Sequence, residues 1–125
     1  MSSNYHFAFE KLDVYTKSID FGEHVQVQIK QFPKEELYAL SSQYRRAADS
    51  IALNIAEGYS GSDAQFIKHL NIAIYSANEC VVCSTKARRR LYISDQEDEE
   101  NRMLISELTK MLSSFRKYII SVRLK

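Results

Sequence analysis

Apolar side chains recur at steps of three and four along most of this chain, a spacing that places them on one face of a helix. Val14, Ser18, Phe21, Val25, Ile29 and Phe32 form a first such stripe, which ends at Pro33, a residue that cannot donate a helical hydrogen bond. A second runs from about Glu35 to Tyr59 through Leu37, Leu40, Tyr44, Ala47, Ile51, Ile55 and Gly58, with Gly58 or Gly61 expected as a left-handed cap. The third is expected to start at Ser62, which forms an S-x-x-Q capping box with Gln65, and to turn Phe66, Leu70, Ile74, Ala77, Val81 and Leu91 inward. The fourth starts at Ser94, boxed with Glu97, and presents Leu104, Leu108, Met111, Phe115, Ile119 and Val122.

With one Pro and three Gly in 125 residues, little interrupts these helices. The length suits one domain over residues 1–125. Short links predict an all-α, up-down-up-down antiparallel four-helix bundle. In residues 1–12, Tyr5, Phe7 and Phe9 alternate with His6 and Ala8, which predicts an extended N-terminal arm. No apolar run is long enough to span a bilayer and no signal pattern opens the chain, so the expected location is the cytoplasm, without a membrane partner.

Catalytic signatures are missing. A carboxylate-bridged metal pair in a bundle needs Glu-x-x-His on two helices, which does not occur, and His6, His24 and His69 fall on separate segments. Phosphate-binding loops, dinucleotide fingerprints and nucleophile elbows are likewise absent. Cys80 and Cys83 form a C-x-x-C, but well inside the third helix, away from the N-terminal dipole that would stabilise a thiolate. Buried or interface thiols are the favoured reading, with redox or metal chemistry as the alternative. The expectation is a protein that is not an enzyme and carries no cofactor or metal.

Charge is nearly balanced, at +1 with pI near 7.8, so attraction to nucleic acid would have to come from a local patch. Residues 63–125 hold 11 basic against 8 acidic side chains. No acid follows Glu107, leaving Arg116, Lys117, Arg123 and Lys125 as the expected nucleic-acid surface. Lys86, Arg88, Arg89 and Arg90 should contribute less, because the acids opening the fourth helix sit across a short turn.

A second strip on helix two, Gln43, Ala47, Ser50, Asn54 and Glu57, faces His69, Ala73, Ser76, Glu79, Cys80 and Cys83 on helix three if the two run antiparallel. That register sets Arg46 beside Ser76 and within a turn of Glu79, so Arg45 or Arg46 is expected to pair with Glu79. Such a strip serves either as a buried network or as an oligomer face.

The segments "FEKLDVY" (9–15), "FPKEELYAL" (32–40) and above all "SQYRRAADSIALNIAEGY" (42–59), continuing through "FIKHLNIAIYSANE" and "RRRLYIS", resemble the ribosomal intervening-sequence proteins, a four-helix bundle family encoded in part within bacterial large-subunit rRNA genes. The resemblance implies a ring-shaped homopentamer and no catalytic activity. A related retroelement accessory protein, also pentameric, binds reverse transcriptase and nucleic acid. Arg45, Arg46, Asn54, Glu57, Gly58 and Tyr59 fall on the family block, and Glu79 on its later acidic position. Ala52 stands where the family often has Pro, Tyr44 where it has an aliphatic residue, and Val81 where it has a carboxylate. The expected function is therefore a non-enzymatic, oligomeric accessory factor associated with RNA or nucleoprotein. The alternative is a protein-binding or structural assembly module with no nucleic-acid contact.

Overall fold

The computed structural model describes residues 2–124, so Lys125, one of the expected basic residues, lies outside the described residues. Four helices make up the fold: α1 (Asp13–Gln28), α2 (Leu40–Tyr59), α3 (Asp63–Arg89) and α4 (Asp95–Tyr118). No strand occurs among the described residues. Cross-helix bonds give the directions of packing. Asn54 meets His69 and Ser50 meets Ser76 between α2 and α3, while Ser84 meets Asp98 and Asn71 meets Arg116 between α3 and α4. Lys17 meets Glu107 and Gln28 meets Asn101 between α1 and α4. In each pairing one residue number rises as the other falls, so the partners run antiparallel. The enclosed core includes Phe21, Val25, Tyr44, Ile51, Ile55, Leu70, Ile105, Leu108 and Leu112.

Both expected capping boxes form. The Ser62 hydroxyl accepts from the Gln65 amide at 3.2 Å and the Ser94 hydroxyl from the Glu97 amide at 3.0 Å, while each N3 side chain accepts from the cap amide in return.

Other boundaries differ from expectation. Helix α2 begins at Leu40, not Glu35; Lys34–Glu36 form a 3-10 turn, and Ala39 breaks the path with φ −120° and ψ −105°. The cause lies far along the chain. The Glu36 carboxylate is held by the Tyr92 hydroxyl at 2.7 Å and Arg90 at 2.9 Å, which pins this turn to the α3–α4 corner and leaves Leu37 half exposed instead of in the core.

Gly58 and Gly61 are not left-handed caps, since neither has positive φ. Gly58 instead permits close approach: a Cβ there would lie 2.6 Å from His69 Cβ and 2.9 Å from the Phe66 ring. The left-handed residue is Leu91, φ 64°. Its amide bonds to Arg88 O and that of Tyr92 to Ala87 O, the Schellman pattern, with leucine where glycine is usual. That reversal throws Leu91 into solvent, against its expected inward position. Val122 is exposed as well, because α4 passes at Ile119–Arg123 into a wider π turn that shifts the stripe after the buried Ile119.

The N-terminal segment is not extended to residue 12. Ala8–Lys11 form a 3-10 turn that folds Phe9 edge-on against Tyr15, ring centres 5.0 Å apart, while Tyr5 and Phe7 stay exposed.

Candidate assembly and binding surfaces

The α2–α3 strip is real but carries different bonds from those expected. Ser76 Oγ donates to Ser50 Oγ at 2.9 Å, and Asn54 donates to Ser50 O at 2.8 Å. His69 Nδ1 lies 3.0 Å from the Asn54 side-chain oxygen, with Glu57 3.9 Å from the same nitrogen. Arg46 and Glu79 project to solvent on the two outer faces, and neither they nor Arg45 form an ion pair among the described residues. The register is close to that expected. The seam is filled by Ala47, Ala73, Ser76 and Ala77, whose short side chains let the backbones approach and leave no room for a guanidinium.

Part of the expected nucleic-acid patch is engaged within the chain. Arg116 donates to Asn71 at 2.7 Å, and Arg123 pairs with Asp63 at 2.7 Å, tying the end of α4 to the start of α3. Arg88 lies 3.3 Å from Asp98 and 3.8 Å from Asp95, and Arg90 is committed to Glu36. Lys117, Lys86 and Arg89 remain exposed without an acidic partner among the described residues.

Sequence reading missed a buried polar network joining α1, α3 and α4. Asn101, fully buried, donates to Gln28 at 2.7 Å and to Ser84 at 2.9 Å, and accepts from Gln28 and from His24 Nε2. Ser84 donates to Asp98 at 2.6 Å, and Arg102 donates to the other oxygen of that carboxylate at 2.9 Å. Burial opposes the Asp98 charge, but the Ser84 hydroxyl and the guanidinium groups of Arg102 and Arg88 outweigh it and hold the carboxyl below its usual range. The signal was present: Gln28 continues the spacing of Ser18, Phe21 and Val25, and Asn101 falls four before Ile105.

Cys80 and Cys83 are fully buried as free thiols. Burial pushes Cys83 up to about 11 and raises Cys80 further, which opposes thiolate chemistry. No group of three or more His, Cys, Asp or Glu side chains that could hold a metal occurs among the described residues, and no helix there is long and apolar enough to cross a membrane.

Between α1 and α2 lies an open groove of about 470 Å³. Ser18 and Gly22 on α1 and Ala52 and Ala56 on α2 line it with small side chains, Ile19 and Leu53 stand beside them, Phe9 and Tyr15 lie at one end, and Glu23 and Asp49 at the other. Helix α2 passes unbroken through Ala52. Burial, reinforced by Glu23 and opposed by Arg45, raises the Asp49 carboxyl above its usual range.

The chain belongs to the class of small all-helical bundles, with an apolar groove open between α1 and α2. Residues 10–114 match the family described as 23S rRNA-intervening sequence proteins, and the chain belongs to that family. It is similar to a solved protein of unknown function from the S23 ribosomal protein family of Bacteroides thetaiotaomicron, at 30% identity and a TM-score of 0.76, over 83% of this chain and 95% of that one. No curated protein matches it.

Proposed function

We propose that the protein is a non-enzymatic scaffold that assembles from several copies of itself, a homopentameric ring being the arrangement its family resemblance implies. One observation carries this reading: Leu53, Tyr75, Val82 and Met103, on the outer faces of α2, α3 and α4, are each 49–66% exposed. Large apolar side chains left in solvent on three helices fit burial against another subunit. Light scattering across micromolar concentrations tests it. A mass several times the 14.5 kDa of one chain is expected, and a constant monomer mass overturns it.

Association with RNA is the second reading, favoured by Lys86, Arg89 and Lys117, which have no acidic partner among the described residues and would be multiplied around a ring. Arg116 and Arg123 contribute less in this reading, since Asn71 and Asp63 already occupy them. A mobility shift with RNA at low salt that fades as salt rises would support it, and no shift from the assembled protein would remove it.

A further inference from the structure

Two surfaces of the molecule complement one another in shape, polarity and order. The groove between α1 and α2 has a floor of Gly22, Ala52 and Ala56, where short side chains leave a trough that the chain itself does not fill. It changes character along its length, from the apolar stretch around Ala56, Leu53 and Ile19 to the carboxylates of Glu23 and Asp49. On the far side of the bundle, the solvent face of α3 carries Tyr75, Glu79, Val82, Lys86 and Arg89 at steps of four, three, four and three. This strip also changes character, from Tyr75 and Val82 to the cations Lys86 and Arg89, with Glu79 its one acid.

The lengths agree. Val82 to Arg89 is seven residue steps, as is Asp49 to Ala56, and each spans about 10 Å at 1.5 Å per step. With Val82 over the small-residue floor, Lys86 and Arg89 reach Glu23 and Asp49, while Tyr75, seven residues before Val82, lies about 10 Å beyond the Ala56 end. Neither set of charges forms an ion pair within its own chain among the described residues. The Asp49 carboxyl, raised by burial and by Glu23 beyond what Arg45 offsets, would be relieved by an incoming cation.

We infer that the α1–α2 groove is the docking site for the outer strip of α3 from a second copy of this chain, with Lys86 and Arg89 of one copy meeting Glu23 and Asp49 of the next. This rests on the self-assembly reading and deepens it, and it spends Lys86 and Arg89 at the contact, leaving Lys117 to the RNA reading. The two surfaces differ, so the contact is head-to-tail, and each copy offers a free groove on one side and a free strip on the other. Repetition then builds a ring if the rotation closes.

Charge reversal tests it. The groove variant Glu23→Lys with Asp49→Lys and the strip variant Lys86→Glu with Arg89→Glu should each weaken self-association at least tenfold, read as a fall in mass by analytical ultracentrifugation. Combining all four changes in one chain should restore it, because the reversed groove then faces a reversed strip. Helical circular dichroism and melting temperature show whether each variant is folded. If the groove variant fails to fold, the strip variant decides alone, since its two side chains are exposed. A folded strip variant with parental mass overturns the docking while leaving self-assembly standing, and so does a fourfold variant that stays dissociated. A monomeric parent overturns both readings and leaves the groove to a different protein.

Discussion

The seam joining α1, α3 and α4 and the groove between α1 and α2 are both built from small and polar residues on α-helices, yet one is closed and the other open. At the closed seam His24, Gln28, Ser84 and Asn101 are long enough to meet, and they satisfy one another. At the groove Ser18, Gly22, Ala52 and Ala56 cannot reach across, and Ser18 bonds back to Val14 O on its own helix at 2.6 Å. Small side chains at a helix seam therefore have two outcomes. The backbones close onto one another, as at Gly58 and His69, or other contacts hold them apart and a trough remains.

The largest test of this contrast is Asn101→Ala. It leaves Gln28 without its partner, takes from Ser84 the bond that the hydroxyl accepts and opens a cavity, so a loss of about 2–4 kcal/mol is expected in denaturant unfolding. Next comes a pair of glycines. Gly58→Ala forces a Cβ into His69 and Phe66 and should cost about 1–3 kcal/mol. Gly22→Ala meets only the Asp49 carboxylate oxygen at 3.3 Å, and an exposed side chain can yield. Its helix-propensity gain of about 0.5–1 kcal/mol should therefore survive, raising the melting temperature. If Gly22→Ala destabilised as much as Gly58→Ala, the groove would be as tightly closed as the α2–α3 seam.

Acid distinguishes the two regions by sign. The Asp98 carboxyl has its folded value lowered, so its ionised form stabilises the fold above the unfolded carboxylate range near 4, and that contribution is lost as pH falls through the lowered value. Asp49 is raised, so its ionised form opposes folding at neutral pH, and protonation relieves it as pH falls through the raised value. Asp98→Asn should lower the melting temperature at pH 7 and flatten its fall in acid. Asp49→Asn should produce a small rise at pH 7, and melting curves from pH 3 to 7 read both.

Much of the molecule was legible in the chain because its causes are local. A hydroxyl at Ser62 or Ser94 with Gln or Glu three residues later fixes a helix start within one turn, and the 3.6-residue spacing of Phe66, Leu70 and Ala77 fixes its inner face. The Asn101 network was legible in position, since Gln28 and Asn101 sit at core spacing, but its bonds join residues 73 apart in sequence. The Arg46–Glu79 expectation placed two charges at the right height on neighbouring helices. It failed because height along a helix does not fix the direction of a side chain around it.

The sequence by itself determined four helices, two of their starts, most of the core stripe and the family, because capping and periodicity act over a few residues. Tertiary structure alone decided where α2 begins, since Glu36 is held by Arg90 and Tyr92 from the far corner of the fold. It also decided which cations are spent, through Arg116 on Asn71 and Arg123 on Asp63, and which small residues close a seam or leave a groove. Those outcomes depend on the distance and rotation between helices, which are set by packing across the whole core and by no short stretch of the chain.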